Sequence, residues 1–266
     1  KTHFSSKMLS PKKNFFLSSA CVFSLTKMSW FDAATMGLLF SAFSWSYGLM
    51  QIPGGWLLER FGSRVSYTVS LFLWSAFTVA MGFGKSFASL FGIRLAIGAA
   101  EAPAFPTNSR VVAAWFPDKE RATATSIYTA GEFIGLAFLT PVLFWVLENY
   151  GWQEIFYLTG GIGIIACLGW HYLYRDPAEC TDVNQGELDY IREGGGLAEK
   201  AGATHSITSR QIAELFKHRQ LIGVYIGQFA NTSTMYFFLT WFPTYLIVAK
   251  QMPMLKAGIY AVIPYI

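Results

Sequence analysis

The chain has 266 residues and a formal net charge of +4 at pH 7, with 53% apolar, 17% aromatic and only 14% charged residues. Soluble domains carry about 25% charged residues, so too little charge is present to cover a water-facing surface, and an ordinary soluble enzyme is excluded. Cys21, Cys167 and Cys180 lie far apart and His3, His171, His205 and His218 show no metal-ligand spacing, so no metal centre, redox pair or other cofactor is expected.

A bilayer core about 30 Å thick needs about 20 helical residues to cross it. In chain order, the first candidate is Asn14 to Phe31, whose uninterrupted apolar part, Phe15 to Leu25, is marginal for spanning before Lys27 intervenes. Six stronger runs follow: Met36 to Leu58, Val65 to Phe83, Phe87 to about Trp115, Ala122 to Leu147, Glu154 to Tyr174 and Leu221 to Val248. The third of these is overlong, and Pro103 and Pro106 predict one kinked helix. A last run starts at Ala257 and stops at Ile266, too short to cross, so the chain reads as ending inside a span. The expected fold is all-α, a polytopic membrane helical bundle.

Lys and Arg set the orientation. The loops after the first, third and fifth strong runs hold Arg60 and Arg64, then Lys119 and Arg121, then Arg175, Arg192, Lys200, Arg210, Lys217 and Arg219. The intervening loops hold little beyond Lys85, Lys250 and Lys256. The first group is therefore read as cytoplasmic, with the basic residues orienting the protein rather than binding nucleic acid. This parity requires one more crossing before Met36. The chain divides into an N-terminal membrane bundle over 1–174, its first helix shortened, a cytoplasmic linker over 175–219 containing Gly194-Gly195-Gly196, and the start of a second bundle over 220–266.

Gly55-Trp56-Leu57-Leu58-Glu59-Arg60-Phe61-Gly62-Ser63-Arg64 resembles the loop signature of the major facilitator superfamily, with Ser63 where Arg is common. Tyr47 to Trp56, Glu101-Ala102-Pro103-Ala104-Phe105-Pro106-Thr107-Asn108-Ser109-Arg110 and Ala114-Trp115-Phe116-Pro117 are similar to the anion:cation symporter family, as are Glu187 to Arg192 and Phe237 to Pro243. Within it the likeness is to bacterial members that carry galactonate, glucarate and galactarate with protons. The resemblance covers about Asp32 to Ile266, nearly the whole chain but only part of a twelve-helix member. It implies a monomeric carrier in the cell (inner) membrane that moves a small anionic substrate with protons by alternating access, with no nucleotide site. The motif residues Gly55, Glu59, Arg60, Gly62 and Arg64 are expected to form the conformational latch, since the glycines permit a tight turn and the charges can pair at the cytoplasmic end.

A charge at bilayer depth costs about 2.5 to 3.5 kcal/mol on insertion scales, so interior ionisable residues invite a functional reading. Arg94 and Glu101 lie seven residues apart on one candidate helix, on one face and about 10 Å from each other. By resemblance, Arg94 is the fourth-helix arginine of the site and Glu101 the protonatable residue of symport. Glu132 stands where close relatives place a substrate-contacting Gln, and the first-helix Tyr-Asp-Arg triplet of the family is absent before Met36. Two roles for Glu132 stay open: it neutralises Arg94, or it is protonated and acts as the Gln would. Tyr47, Gln228 and Asn231, together with Thr240, are the polar candidates for sugar-acid hydroxyls. The rival reading of the whole chain is a truncated, non-transporting membrane protein, suggested by the short first helix. An enzyme is not expected, because no nucleophile, base or metal set converges.

Overall fold

In the computed structural model, residues 33–181, 183–197, 214 and 217–261 are described. The marginal first crossing at Asn14 to Phe31, the linker residues 198–213 and the end of the last run lie outside them, as does the Thr240 side chain. Among the described residues every regular element is helical: α1 (Ala33–Met81), α2 (Phe87–Glu101), α3 (Ala104–Trp115), α4 (Arg121–Asn149), α5 (Trp152–Leu173), a 3-10 turn at Pro177–Glu179, α6 (Gln185–Glu193), α7 (Arg219–Val248) and α8 (Met254–Tyr260).

The expected spans Met36 to Leu58 and Val65 to Phe83 are joined in α1 with no loop between them. The change of direction is made at one residue, Gly62, whose φ of 76° and ψ of 171° break the helix. An L side chain rarely adopts that conformation, which is why the signature has glycine there. Ser63 beside it is fully buried, and a small hydroxyl fits where an arginine would carry a charge inside. Near Pro103, where a kink is expected, the helix is interrupted. α2 ends at Glu101, the Ala102 amide still donates to the Gly98 carbonyl at 3.2 Å, and the Thr107 amide donates to the Pro103 carbonyl at 3.1 Å. The backbone therefore stays helical in sense across the break, and 87–115 is one span of 29 residues.

Three helical stretches, Phe87–Trp115, Arg121–Asn149 and Trp152–Leu173, are long and apolar enough to cross a membrane by length and composition. Large apolar side chains face outward in these and in the neighbouring helices, Leu173 at 85% exposure, Phe138 at 78% and Leu49 at 77% among them. Such a surface is stable only in lipid.

The described residues form two compact units. One takes Leu38–Gly135 and the chain from Phe156 into the linker. Its second half of α1 runs antiparallel to α5, and small residues let the two approach. Added Cβ atoms at Gly160 and Gly163 would collide with Val79 and Ser75, and one at Gly82 with the Tyr157 ring. Close glycine-lined contact of this kind replaces the hydrophobic driving force that lipid removes. At the end expected to be cytoplasmic, Cys167 donates to the Thr68 carbonyl at 3.3 Å and Arg64 donates to the His171 carbonyl.

The described part of the linker is docked rather than free. Tyr190 Oη donates to Glu120 Oε1 at 2.6 Å, the Asp118 amide to the Gly194 carbonyl at 2.8 Å and the Leu197 amide to the Ala113 carbonyl at 2.8 Å. Arg121 Nη2 donates to the Gly195 carbonyl at 2.7 Å, and Ile191 is buried beneath. The bond to Glu120, and then that carboxylate's charge, raise the Tyr190 phenol above its ordinary pKa. Gly195 sits at φ 84° against the Asp118 carboxylate, and added Cβ atoms at Gly194 and Gly196 would collide with Pro117 and Ile191, so all three glycines read as flexible spacers are close-packing residues.

The other unit contains Leu136–Ile155 and the described residues from 214 onward. α4 and α5 are joined by Tyr150 and Gly151, the latter at φ 106°. The core here is Leu143, Phe144, Val146, Leu147 and Ile155, with Trp152 and Ile247 against it. α7 closes with the Met252 amide on the Leu246 carbonyl at 3.2 Å and Gln251 at φ 51°, a left-handed helix stop followed by Pro253.

Candidate functional site

α2 carries the site. Ser86 opens it with a reciprocal cap: its hydroxyl accepts from the Ser89 amide at 3.2 Å, and Ser89 Oγ accepts from the Ser86 amide at 3.3 Å. Two turns on, Arg94 is 5% exposed. Its guanidinium carbon lies 5.5 Å from the centre of the Phe40 ring and 6.0 Å from that of Phe43. Both rings offer the cation a negative face, an interaction worth about 2 kcal/mol when desolvated. Phe43 stacks on Tyr47 with ring centroids 5.5 Å apart and planes 19° from parallel. Spacings of three, four and seven residues put Phe40, Phe43 and Tyr47 on one face of α1.

The close approach of α1 and α2 depends on glycine. A Cβ at Gly98, one turn beyond Arg94, would collide with Ser46 Oγ and the Phe43 carbonyl oxygen, and one at Gly54 would press on Pro103 at 3.1 Å. Gly98→Val is therefore expected to destabilise the protein by about 3 kcal/mol. Gly92→Ala on the same helix, where an added Cβ meets nothing within 4 Å, should stabilise by up to about 1 kcal/mol. Thermal unfolding of the two variants in detergent checks the contrast.

Glu101 ends α2 half-buried, within electrostatic reach of Arg94 and of Glu132. Tyr67, from the second half of α1, faces Glu101 and the Asn108 side chain. Tyr47, Arg94, Glu101 and Glu132 thus all fall within the first compact unit, with Glu132 itself on an exposed face of α4. Gln228 and Asn231 are exposed on α7 in the other unit, and Gln228 Nε2 donates to Thr232 Oγ1 on its own helix at 3.3 Å. The aromatic pair under Arg94 and the Tyr67–Asn108 group were missed by sequence reasoning. The i, i+3, i+7 aromatic row of Phe40, Phe43 and Tyr47 was the available signal for the first, and Tyr67 is one polar residue among many at the start of its run.

Of the signature residues, Gly62 makes the turn and Arg60 lies over the Trp56 ring at 5.3 Å and the Phe61 ring at 5.6 Å. Gly55 and Glu59 are half-buried on the helix before it. Arg64 donates from Nε at 3.0 Å and Nη2 at 2.7 Å to the His171 carbonyl near the end of α5. A cation there also meets the negative end of the helix dipole.

Comparison with known proteins agrees with this architecture. The family model described as Major Facilitator Superfamily matches residues 14–266. The chain is 50% identical over 238 residues to the D-galactonate transporter of Escherichia coli O6:H1, covering 88% of this chain and 55% of that protein. It is 44% identical over 245 residues to a probable galactarate/D-glucarate transporter of Escherichia coli K12 (88% and 54%), and 41% identical over 243 residues to one of Bacillus subtilis (88% and 53%). The chain spans about half the length of the curated relatives it matches. A family match over almost all of its length, carried on helices whose outer faces require lipid, makes this chain a multi-pass membrane protein and a member of the major facilitator superfamily, a family of transporters rather than enzymes.

Proposed function

We propose that the protein is a proton-coupled secondary transporter of a small organic anion, a hexonate or hexarate sugar acid, working by alternating access as a monomer in the inner membrane. The observation that carries this reading is the buried Arg94 held on two aromatic faces, with the half-buried Glu101 two turns along the same helix. Arg94 supplies a fixed, always-charged fork for the substrate carboxylate. Glu101 is the group that takes up and releases the proton. Glu132, in reach of Glu101, adds a second carboxylate to the same chamber and adjusts its charge. Tyr47 and the α7 amides Gln228 and Asn231 offer donors and acceptors to hydroxyls of the sugar acid. Gly55, Glu59, Arg60, Gly62 and Arg64 form the latch that is made and broken as the bundles rock. The names of the relatives, transporters of galactonate and of galactarate and glucarate, support the substrate class.

The test is uptake of radiolabelled galactonate, glucarate and a neutral hexose by cells expressing the full chain, with and without an imposed proton gradient. Gradient-dependent uptake of at least one acid, with none of the hexose, is expected. Equal uptake of the neutral sugar, or none of any substrate from correctly inserted protein, overturns the reading.

A further inference from the structure

A second feature of the same unit adjoins the Arg94–Glu101 site at Tyr67 and extends from there along α5. Between the second half of α1 and α5 runs an open groove of about 580 Å³, walled by Tyr67, Leu71, Ala166, Trp170, Leu173 and Tyr174. Its floor is aromatic: Tyr67 lies 4.6 Å from Trp170 between ring centroids, and Trp170 stacks on Tyr174 at 4.2 Å with planes 9° apart. The stretch from Ala166 to Tyr174 rises about 12 Å, close to the depth of one leaflet of a bilayer core about 30 Å thick. Gly169 lines the same groove, and an added Cβ there would meet nothing within 4 Å.

Where α5 ends, beside the groove residue Tyr174, two like charges converge. Arg64 donates to the His171 carbonyl from Nε and Nη2, and Arg175 Nη1 donates to the same oxygen at 3.2 Å and to the Tyr174 carbonyl at 2.7 Å. Both side chains are half-buried, and neither makes an ion pair with a carboxylate among the described residues. Asp176, next in the chain, instead accepts the Tyr174 hydroxyl at 2.8 Å. Two guanidiniums on one carbonyl repel each other, more strongly where water is partly excluded. The helix C-terminus contributes only about half a negative charge in return. Each arginine keeps spare N–H donors, Nη1 of Arg64 and Nη2 of Arg175 among them, and their forks match the oxygens of a phosphate.

We propose that this groove binds one anionic phospholipid of the leaflet on the arginine-rich side, its phosphate diester held between Arg64 and Arg175 and an acyl chain laid along the Trp170 wall. The charge pair selects an anion, the apolar groove selects a hydrocarbon tail, and a phospholipid carries both in the right order. Tyrosine and tryptophan are the side chains enriched where a membrane protein meets lipid headgroups. A basic pocket on this side of a membrane protein is suited to lipid headgroups. The assignment is independent of the transported substrate.

Native mass spectrometry of the detergent-purified full chain tests it, with phosphatidylglycerol or phosphatidylcholine added at equal concentration. The wild type should retain one phosphatidylglycerol in clear preference to phosphatidylcholine. The double variant Arg64→Gln/Arg175→Gln should lower that occupancy about tenfold. Gly169→Phe, which fills the groove and leaves both arginines in place, should lower it as well, whereas Lys119→Gln, an exposed cation of the neighbouring loop, should not. Millimolar inorganic phosphate should fail to displace the lipid. Equal retention of the two lipids by the wild type overturns the proposal. So does unchanged occupancy in Gly169→Phe, or displacement by inorganic phosphate, which assigns the arginines to a free anion. Should the double variant fail to fold, the wild-type preference and Gly169→Phe still decide.

Discussion

Arg94→Lys is expected to lower sugar-acid uptake by at least about a hundredfold while the protein still folds and inserts. Lysine keeps the charge, so the burial of a cation at 5% exposure is not what changes. What is lost is the planar fork and its stacking over Phe40 and Phe43, at 5.5 and 6.0 Å. A compact ammonium donates to a carboxylate as a point charge and cannot pair with both oxygens in one plane. Losing the two charge-assisted hydrogen bonds of the fork, at about 1.5 to 3 kcal/mol each, corresponds to a factor of about a hundred or more. Initial uptake rates normalised to membrane protein check the first part, and thermal unfolding close to wild type checks the second. Arg94→Ala is less informative, because it also removes the cation that the two rings and the neighbouring carboxylate have been packed to receive.

Glu101→Gln should abolish accumulation driven by a proton gradient and leave substrate exchange across the membrane intact. The amide fills the volume of the acid at the end of α2 and keeps a donor and an acceptor toward Tyr67 and its surroundings. It cannot bind and release a proton, so the carrier can still shuttle between substrate-loaded states without coupling them to the gradient. Counterflow in vesicles, with labelled substrate outside and unlabelled inside, separates this outcome from misfolding. If exchange were lost together with accumulation in a normally inserted protein, Glu101 would be a binding or packing residue instead.

The helices and the interior charges were legible in the sequence because lipid imposes a simple rule. Apolar runs of spanning length stand out, and Arg94 and Glu101 stand out within one of them. The interruption near Pro103 followed from proline chemistry. The connections were less legible. Glu59 and Arg60 look like a loop, yet the helix continues through them and turns at Gly62 alone, because one glycine with a positive φ replaces several loop residues. Gly194-Gly195-Gly196 look like a spacer, yet Gly194 and Gly195 close on Pro117 and Asp118. Composition cannot distinguish a glycine kept for freedom from one kept for lack of volume. The aromatic bed under Arg94 and the pairing of Arg64 with Arg175 come from residues 51 to 111 positions apart in sequence, as the residue numbers show, and only packing brings them together.

On the proposed mechanism, substrate and proton move together through the chamber beside Arg94 and Glu101. The most direct measurement is the external pH of lightly buffered, de-energised vesicles holding the full chain, recorded as a sugar acid is added. The medium should turn alkaline as the anion enters with protons, and Glu101→Gln should abolish the signal. Entry of the labelled acid with no movement of protons would contradict it.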